Sequence, residues 1–325
     1  MHASIRLILV IALLVLLVAP TDAATLLHTW VASTGTDSPS CGDVSSPCAS
    51  FQGAYDNTTP GGEIACVDSG EFSGVTITGS ITINCENAVG AVGSGGNGAS
   101  GYTITTSASD IVLLKGLDID GFGKCNGNAC NGSQINFTGA GTLHLQNLKI
   151  NHLLGNSFGV NFQPSGSATL DITDSNITDN GNNNTPLHAA GINIRPGSGV
   201  QANVTITRTQ VQGNYFGVLG DGTGGGGIRV TISDSVFSGN TAGGIAAISS
   251  ILGVEFVIDQ TKVSGNGSGL YASGSNTTML ARFSTIFNNT TGLDSVNGGR
   301  ILTSGYNTVI GNTTNGAFTG TETLQ

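Results

Sequence analysis

From about residue 140 onward the chain repeats itself in two registers at once. The segments Thr142-Leu-His-Leu-Gln-Asn-Leu-Lys-Ile, Thr169-Leu-Asp-Ile-Thr-Asp-Ser-Asn-Ile, Asn203-Val-Thr-Ile-Thr-Arg-Thr-Gln-Val, Arg229-Val-Thr-Ile-Ser-Asp-Ser-Val-Phe and Glu255-Phe-Val-Ile-Asp-Gln-Thr-Lys-Val align as alternating strands that run into turns. An asparagine series accompanies them, Asn180, Asn214, Asn240, Asn266, Asn289 and Asn312, in steps of 34, 26, 26, 23 and 23 residues. A glycine followed by an apolar residue recurs in the second register: Gly159-Val160, Gly191-Ile192, Gly217-Val218, Gly244-Ile245, Gly269-Leu270, Gly292-Leu293 and Gly316-Ala317.

A period near 25 that holds two or three short strands is one turn of a solenoid, because a single coil cannot bury its apolar face and must stack on the next. Stacking at about 4.8 Å piles like residues into ladders. An inward asparagine without partners costs about 1 to 3 kcal/mol, so the aligned asparagines are read as a structural ladder bonded amide to amide and to turn backbone. The expected fold is all-β, a single-stranded right-handed parallel β-helix. With 51 Gly and only 9% charged residues in 325, and with few strong helix formers, the composition points the same way. The formal net charge of -10, with 10 Lys and Arg scattered singly, offers no basic stripe for a phosphate backbone and excludes nucleic acid as a partner.

Residues 1–23 read as a signal peptide: His2 and Arg6 precede the apolar run Leu7 to Val18, and Thr21-Asp22-Ala23-Ala24 supplies small residues for cleavage after Ala23. The run is shorter than the ~20 residues that cross a hydrocarbon core, so the mature chain is expected to have no integral membrane segment and to be secreted, extracellular or periplasmic. The six cysteines fall within the first 130 residues, which suits disulfides in an oxidising compartment. Local spacing pairs Cys41 with Cys48, Cys66 with Cys85 across one coil, and Cys125 with Cys130. No CxxC or CxxxxH spacing supports a metal site.

The segments Pro47-Cys-Ala-Ser-Phe-Gln-Gly-Ala-Tyr, Thr59-Pro-Gly-Gly-Glu-Ile and Ser69-Gly-Glu-Phe-Ser-Gly-Val-Thr-Ile-Thr-Gly-Ser-Ile-Thr-Ile are similar to the pattern that opens pectate-lyase-like β-helix proteins. The chain resembles that superfamily, in its bacterial-type secreted form, over essentially the whole mature length. The resemblance implies a cap over residues 24–63, with a disulfide and a short helix near Ala49 to Tyr55 covering the first coil, followed by β-helix repeats over 64–325. The superfamily's catalytic strings are absent: there is no Asn-Thr-Asp, Asp-Asp, Gly-His-Gly or Arg-Ile-Lys, and Arg195-Pro196 is the nearest fragment of an Arg-x-x-Arg-x-Pro segment.

The repeat register places Gln163, Arg195 and Asp221 on consecutive coils. Arg195 beside Asp221 is the sharper enzymatic expectation, since proton abstraction next to a uronate needs a base and a cation together; the plainer one is a structural ion pair. The same register sets His144 over Asp171 and His152 over Asp179. The longest insertion, 181–190, brings His188 to the latter pair, so His152, Asp179, His188 and Arg195 form the expected site cluster on a loop-bearing scaffold. Asp174, Arg208 and Asp234 align as a charge ladder, as do Arg229 and Glu255. Sequons stand at Asn57, Asn136 and Asn203. The Gly-rich stretches at 90–101 and 222–227 lack the Gly-Lys-Ser/Thr of a phosphate loop.

Two function classes follow. The first is a non-catalytic secreted β-helix whose ladder face binds polysaccharide, cell-surface glycan or another surface through repeated Ser, Thr and Asn groups, with no cofactor. The alternative is a polysaccharide lyase or glycoside hydrolase acting on polyuronate or similar glycans around Arg195, and only that alternative would call for calcium.

Overall fold

The structure, a computed structural model, describes residues 25–88, 90–93, 101–123, 132–181, 187 and 189–322. The expected signal peptide, the Cys125–Cys130 pair and His188 lie outside the described residues.

Three parallel sheets wrap one core. Among the described residues sheet A has twelve strands, sheet B ten and sheet C nine, and neighbouring strands within each sheet pair in parallel. Each coil runs through a strand of A, a tight corner, a short strand of B, a second corner, a strand of C, and a loop to the next strand of A. The coil of Ala168–Thr173, Asn176–Thr178 and Ala190–Ile194 is typical. Parallel crossovers within a sheet take the right-handed course.

Alternation within each strand decides what is inside. Leu170 and Ile172 are fully buried while Thr169, Asp171 and Thr173 between them face outward. The three-residue strands of sheet B contribute one inward apolar residue per coil, so Ile150, Ile177, Val211, Phe237 and Val263 stack directly, continuing from Ile119 on the preceding strand. Each such side chain adds about 1.5 to 3 kcal/mol when buried, which is how so glycine-rich a chain offsets its ordering entropy.

The two corners are held by different ladders. At the B-to-C corner the asparagines stack: the backbone N–H of Asn214 donates to Asn240 Oδ1 at 3.1 Å, and its Nδ2 donates to the same oxygen at 3.1 Å, to Ile177 O at 3.1 Å and to Gln212 O at 3.0 Å. The pattern repeats from Asn180 to Asn312, where Asn315 Oδ1 receives the last amide at 3.0 Å. The glycines of the second register pack against this ladder. A Cβ at Gly191 would sit 2.9 Å from Asn214 Nδ2, so only hydrogen fits there.

The A-to-B corner carries a hydroxyl ladder that the repeat reading did not single out. Ser175, Thr209, Ser235, Thr261 and Ser284 occupy its equivalent positions. Thr209 N donates to Ser235 Oγ at 3.1 Å and Ser235 Oγ donates to Ser233 O at 2.7 Å. The signal was present in the strings Asp174-Ser175, Arg208-Thr209 and Asp234-Ser235, where the hydroxyl always follows the last strand residue by two.

The open end of the first coil is closed by the helix Phe51–Asp56. Ser50 caps it by accepting from Gly53 N at 3.0 Å. Asp37 accepts from Ala49 N and Ser50 N at 2.9 and 3.0 Å, which fixes the approach to the helix. Phe51 and Ala54 are fully buried, with Phe51 edge-on to Phe72. Disulfides join Cys41 to Cys48 and Cys66 to Cys85. The expected boundary between cap and repeats at 63 and 64 falls inside the strand Thr58–Cys66, and Leu26–Val31 already pairs in sheet A; cap and first coil are one structure. Among the described residues no helix is long and apolar enough to cross a membrane.

Candidate functional site

Most outward charges are satisfied by the coil above or below. His144 Nδ1 lies 3.0 Å from Asp171 Oδ2, and Arg229 Nε 3.3 Å from Glu255 Oε2, each pair directly opposed on sheet A. Arg208 holds Asp174 with two parallel bonds, Nε to Oδ1 at 2.7 Å and Nη2 to Oδ2 at 2.8 Å. The guanidinium's hydrogen bonds hold the Asp174 carboxyl below its ordinary value. Both groups are well exposed, so this pair adds little to stability. A hollow on the early coils is lined by Glu86, Asp118 and Lys149; Lys115 pairs with Glu86 at 2.7 Å there, and Lys149 faces Asp118 at 3.9 Å. The sulfurs of Cys41 and Cys48 approach Asp37, but both are in a disulfide and the Asp37 oxygens accept from the helix start.

The residues expected to form one cluster are divided between two places. His152 sits at the B-to-C corner with left-handed backbone (φ 58°). Its Nδ1 is 3.3 Å from both oxygens of Asp120 on the preceding coil, and its Nε2 is 4.0 Å from Asp179 Oδ2 on the next. Asp120 was not among the sequence candidates because the repeat alignment began after it. Asn151 packs into the same group, and with its amide turned so that the nitrogen faces the carboxylate it donates to Asp120 at 3.0 and 3.2 Å. The stack is a histidine bridging two carboxylates.

Arg195 stands beyond the far end of Ala190–Ile194, a strand of about 16 Å, so it does not join His152 and Asp179. It meets Asp221 instead, Nε to Oδ2 at 3.2 Å, as the register required. Asp221 is fully buried while Arg195 is 42% exposed in its side chain. Asp221 Oδ1 accepts from Thr223 N and Oγ1 at 2.9 and 2.5 Å, but Oδ2 receives no directed hydrogen bond, the Arg195 contact being one of charge alone. The carboxylate is thus a buried anchor, and the outer guanidinium edge faces solvent.

Arg195 and Asp221 border a feature that the sequence reading missed. On the outer face of sheet C, Ala190, Leu219 and Ala246 are buried outside the coil core, covered by Phe158, Leu187, Phe216, Ile248 and Tyr271. The central row of this face begins as an amide ladder, Asn161 Nδ2 donating to Asn136 Oδ1 at 2.9 Å and Asn193 Nδ2 to Asn161 Oδ1 at 2.8 Å, and continues in register through Leu219, Ala246 and Tyr271. Asn193 is 1% exposed and its Oδ1 has no hydrogen-bond partner. Half-buried rings, an amide row and a half-exposed guanidinium therefore share one outer surface across consecutive coils. The missed signal is that C strands are apolar at successive positions and buried at them too, as in Phe216-Gly-Val-Leu and Gly244-Ile-Ala-Ala, whereas burial in the sheet A strands alternates.

No family model matches the chain, and no curated protein matches it. Among solved structures it is similar to a crystal structure of pectate lyase Pel9A, with a TM-score of 0.58 and 16% sequence identity, over 87% of this chain and 77% of that one. At that identity the likeness is one of architecture, and the chain folds as a pectate-lyase-like parallel β-helix.

Proposed function

We propose that this protein is an exported, non-catalytic β-helix that binds polysaccharide or surface glycan along the outer face of sheet C. The observation that carries the reading is the apolar cluster outside the coil core, with Phe158, Phe216 and Tyr271 half-buried beside the amide row and Arg195. Aromatic rings take the C–H face of a pyranose, while amides and a guanidinium supply hydrogen bonds to its hydroxyls. The coil spacing of about 4.8 Å is close to the length of one pyranose, so successive coils meet successive sugars. Two disulfides suit the oxidising compartment in which such ligands occur.

Electrophoresis through gels containing polygalacturonate, xylan or a neutral β-glucan tests this. Retardation by at least one polysaccharide is expected, weakened about tenfold by Tyr271→Ala, a loss of the size seen for aromatic anchors. Migration unchanged by every polysaccharide would defeat the reading. The second reading, a polysaccharide lyase or hydrolase, has in its favour the pectate lyase of similar fold and the exposed edge of Arg195. Unsaturated-uronate absorbance or new reducing ends that vanish in Arg195→Ala would establish it in place of the first.

A further inference from the structure

The A-to-B corner places one residue per coil in the left-handed backbone region. Asp174, Arg208, Asp234, Gln260, Phe283 and Tyr306 follow one another there with φ from 47 to 59°. Asp, like Asn and Gly, tolerates this conformation, whereas a bulky aromatic is a poor choice for it. Phe283 and Tyr306 therefore carry backbone strain, and burial does not offset it, since they are 51% and 81% exposed. Their rings are parallel, with centroids 5.2 Å apart and an interplanar angle of 2°. Strain retained at an exposed position is a pointer to function.

Polar groups flank the rings. Asp259 and Arg282 lie directly opposed on the last strand positions before Gln260 and Phe283. Arg282 Nη2 meets Asp259 Oδ2 at 3.0 Å; Arg282 Nε and Asp259 Oδ1 are buried without a hydrogen-bond partner, and the side chains keep 38% and 16% of their surface exposed. Gln260 and Phe283 line a hollow beside them.

We propose that Phe283 and Tyr306, with Gln260, Asp259 and Arg282, form a second carbohydrate site that takes a neutral pyranose. The stacked rings offer a flat apolar edge and an open terminal face to the sugar's C–H groups, and the carboxylate, guanidinium and amide meet its hydroxyls. Neutral sugar is favoured over uronate or sulfated sugar because Arg282, the cation beside the rings, is already paired with Asp259 and so leaves no unneutralised positive charge there for an anionic sugar. The site lies on a different corner from the sheet C surface and extends the glycan reading, on which its ligand class rests, to a second contact.

The test uses the full chain with Phe283→Asn and Tyr306→Asn, singly and together. Asparagine suits the left-handed backbone, so the melting temperature is expected to hold or rise. Electrophoresis through a neutral β-glucan or galactomannan is expected to show at least tenfold weaker retardation for the double variant, with polygalacturonate retardation, where present, unchanged. Tyr271→Ala run in parallel separates the two sites. If Tyr271→Ala loses retardation and the double variant keeps it on every neutral polysaccharide, the second site is wrong and the sheet C reading stands. If the wild-type chain is retarded by none, both fall. If the double variant instead alters the elution volume on size exclusion, the rings serve self-association and the proposal is overturned.

Discussion

At the scale of the residue, the chain replaces what a loop normally obtains from water with side-chain ladders. Asn240 is fully buried and its amide reaches Asn266 Oδ1 at 3.0 Å and Val211 O at 3.1 Å, while its own Oδ1 accepts both N–H groups offered by Asn214. Asn240→Ala would strand the Asn214 backbone N–H and take away the amide donors to Val211 O and Asn266 Oδ1, and each buried group left short of a partner costs about 1 to 3 kcal/mol. Urea unfolding is expected to show a loss of about 3 kcal/mol or more. Asn312→Ala, at the half-exposed end of the ladder, should cost less than half as much. The asparagine spacing made this ladder legible in the sequence. The hydroxyl ladder was not, because Ser and Thr are so common in the chain that their alignment is masked by outward Ser and Thr on the neighbouring strands.

At the scale of the element, the three strands of a coil obey different rules. Sheet A alternates cleanly, and its register could be read off directly, so His144 over Asp171 and Arg229 beside Glu255 are found at 3.0 and 3.3 Å. Sheet C defeats alternation because its first inward position is a glycine, followed at once by a second inward residue, and because its outer face is itself apolar. That is why the surface at Phe158, Phe216 and Tyr271 escaped sequence reading and why charged residues drew attention instead. The glycine is the element's weak point. At Gly217 an added Cβ meets the Gly244 carbonyl, Asn240 Nδ2 and a Phe237 ring carbon, all belonging to the next coil. Gly217→Val is expected to cost more than about 3 kcal/mol by forcing adjacent coils apart, whereas Thr205→Val on the exposed face of sheet A should stay within about 0.5 kcal/mol. Thermal melts of the two variants check the contrast.

At the scale of the whole molecule, a solenoid separates its stabilising interior from its surface, since each coil contacts only its neighbours. Periodicity therefore announces the interior and says little about the face that meets a ligand. The solenoid, the N-terminal helix and two disulfides could be read in the sequence; the site could not, because its members come from five coils and none carries a distinctive motif. Arg195 and Asp221 were placed together by counting, and they meet; the grouping of Arg195 with His152 and Asp179 does not hold for a simple reason: the whole of the strand Ala190–Ile194 separates Arg195 from them. The central claim is that glycan lies on the outer face of sheet C, and hydroxyl-radical footprinting of the chain with and without a retarding polysaccharide tests it most directly. Oxidation of Phe216 and Tyr271 is expected to slow severalfold in the complex, and a bound complex in which both rings oxidise at their free rates would contradict it.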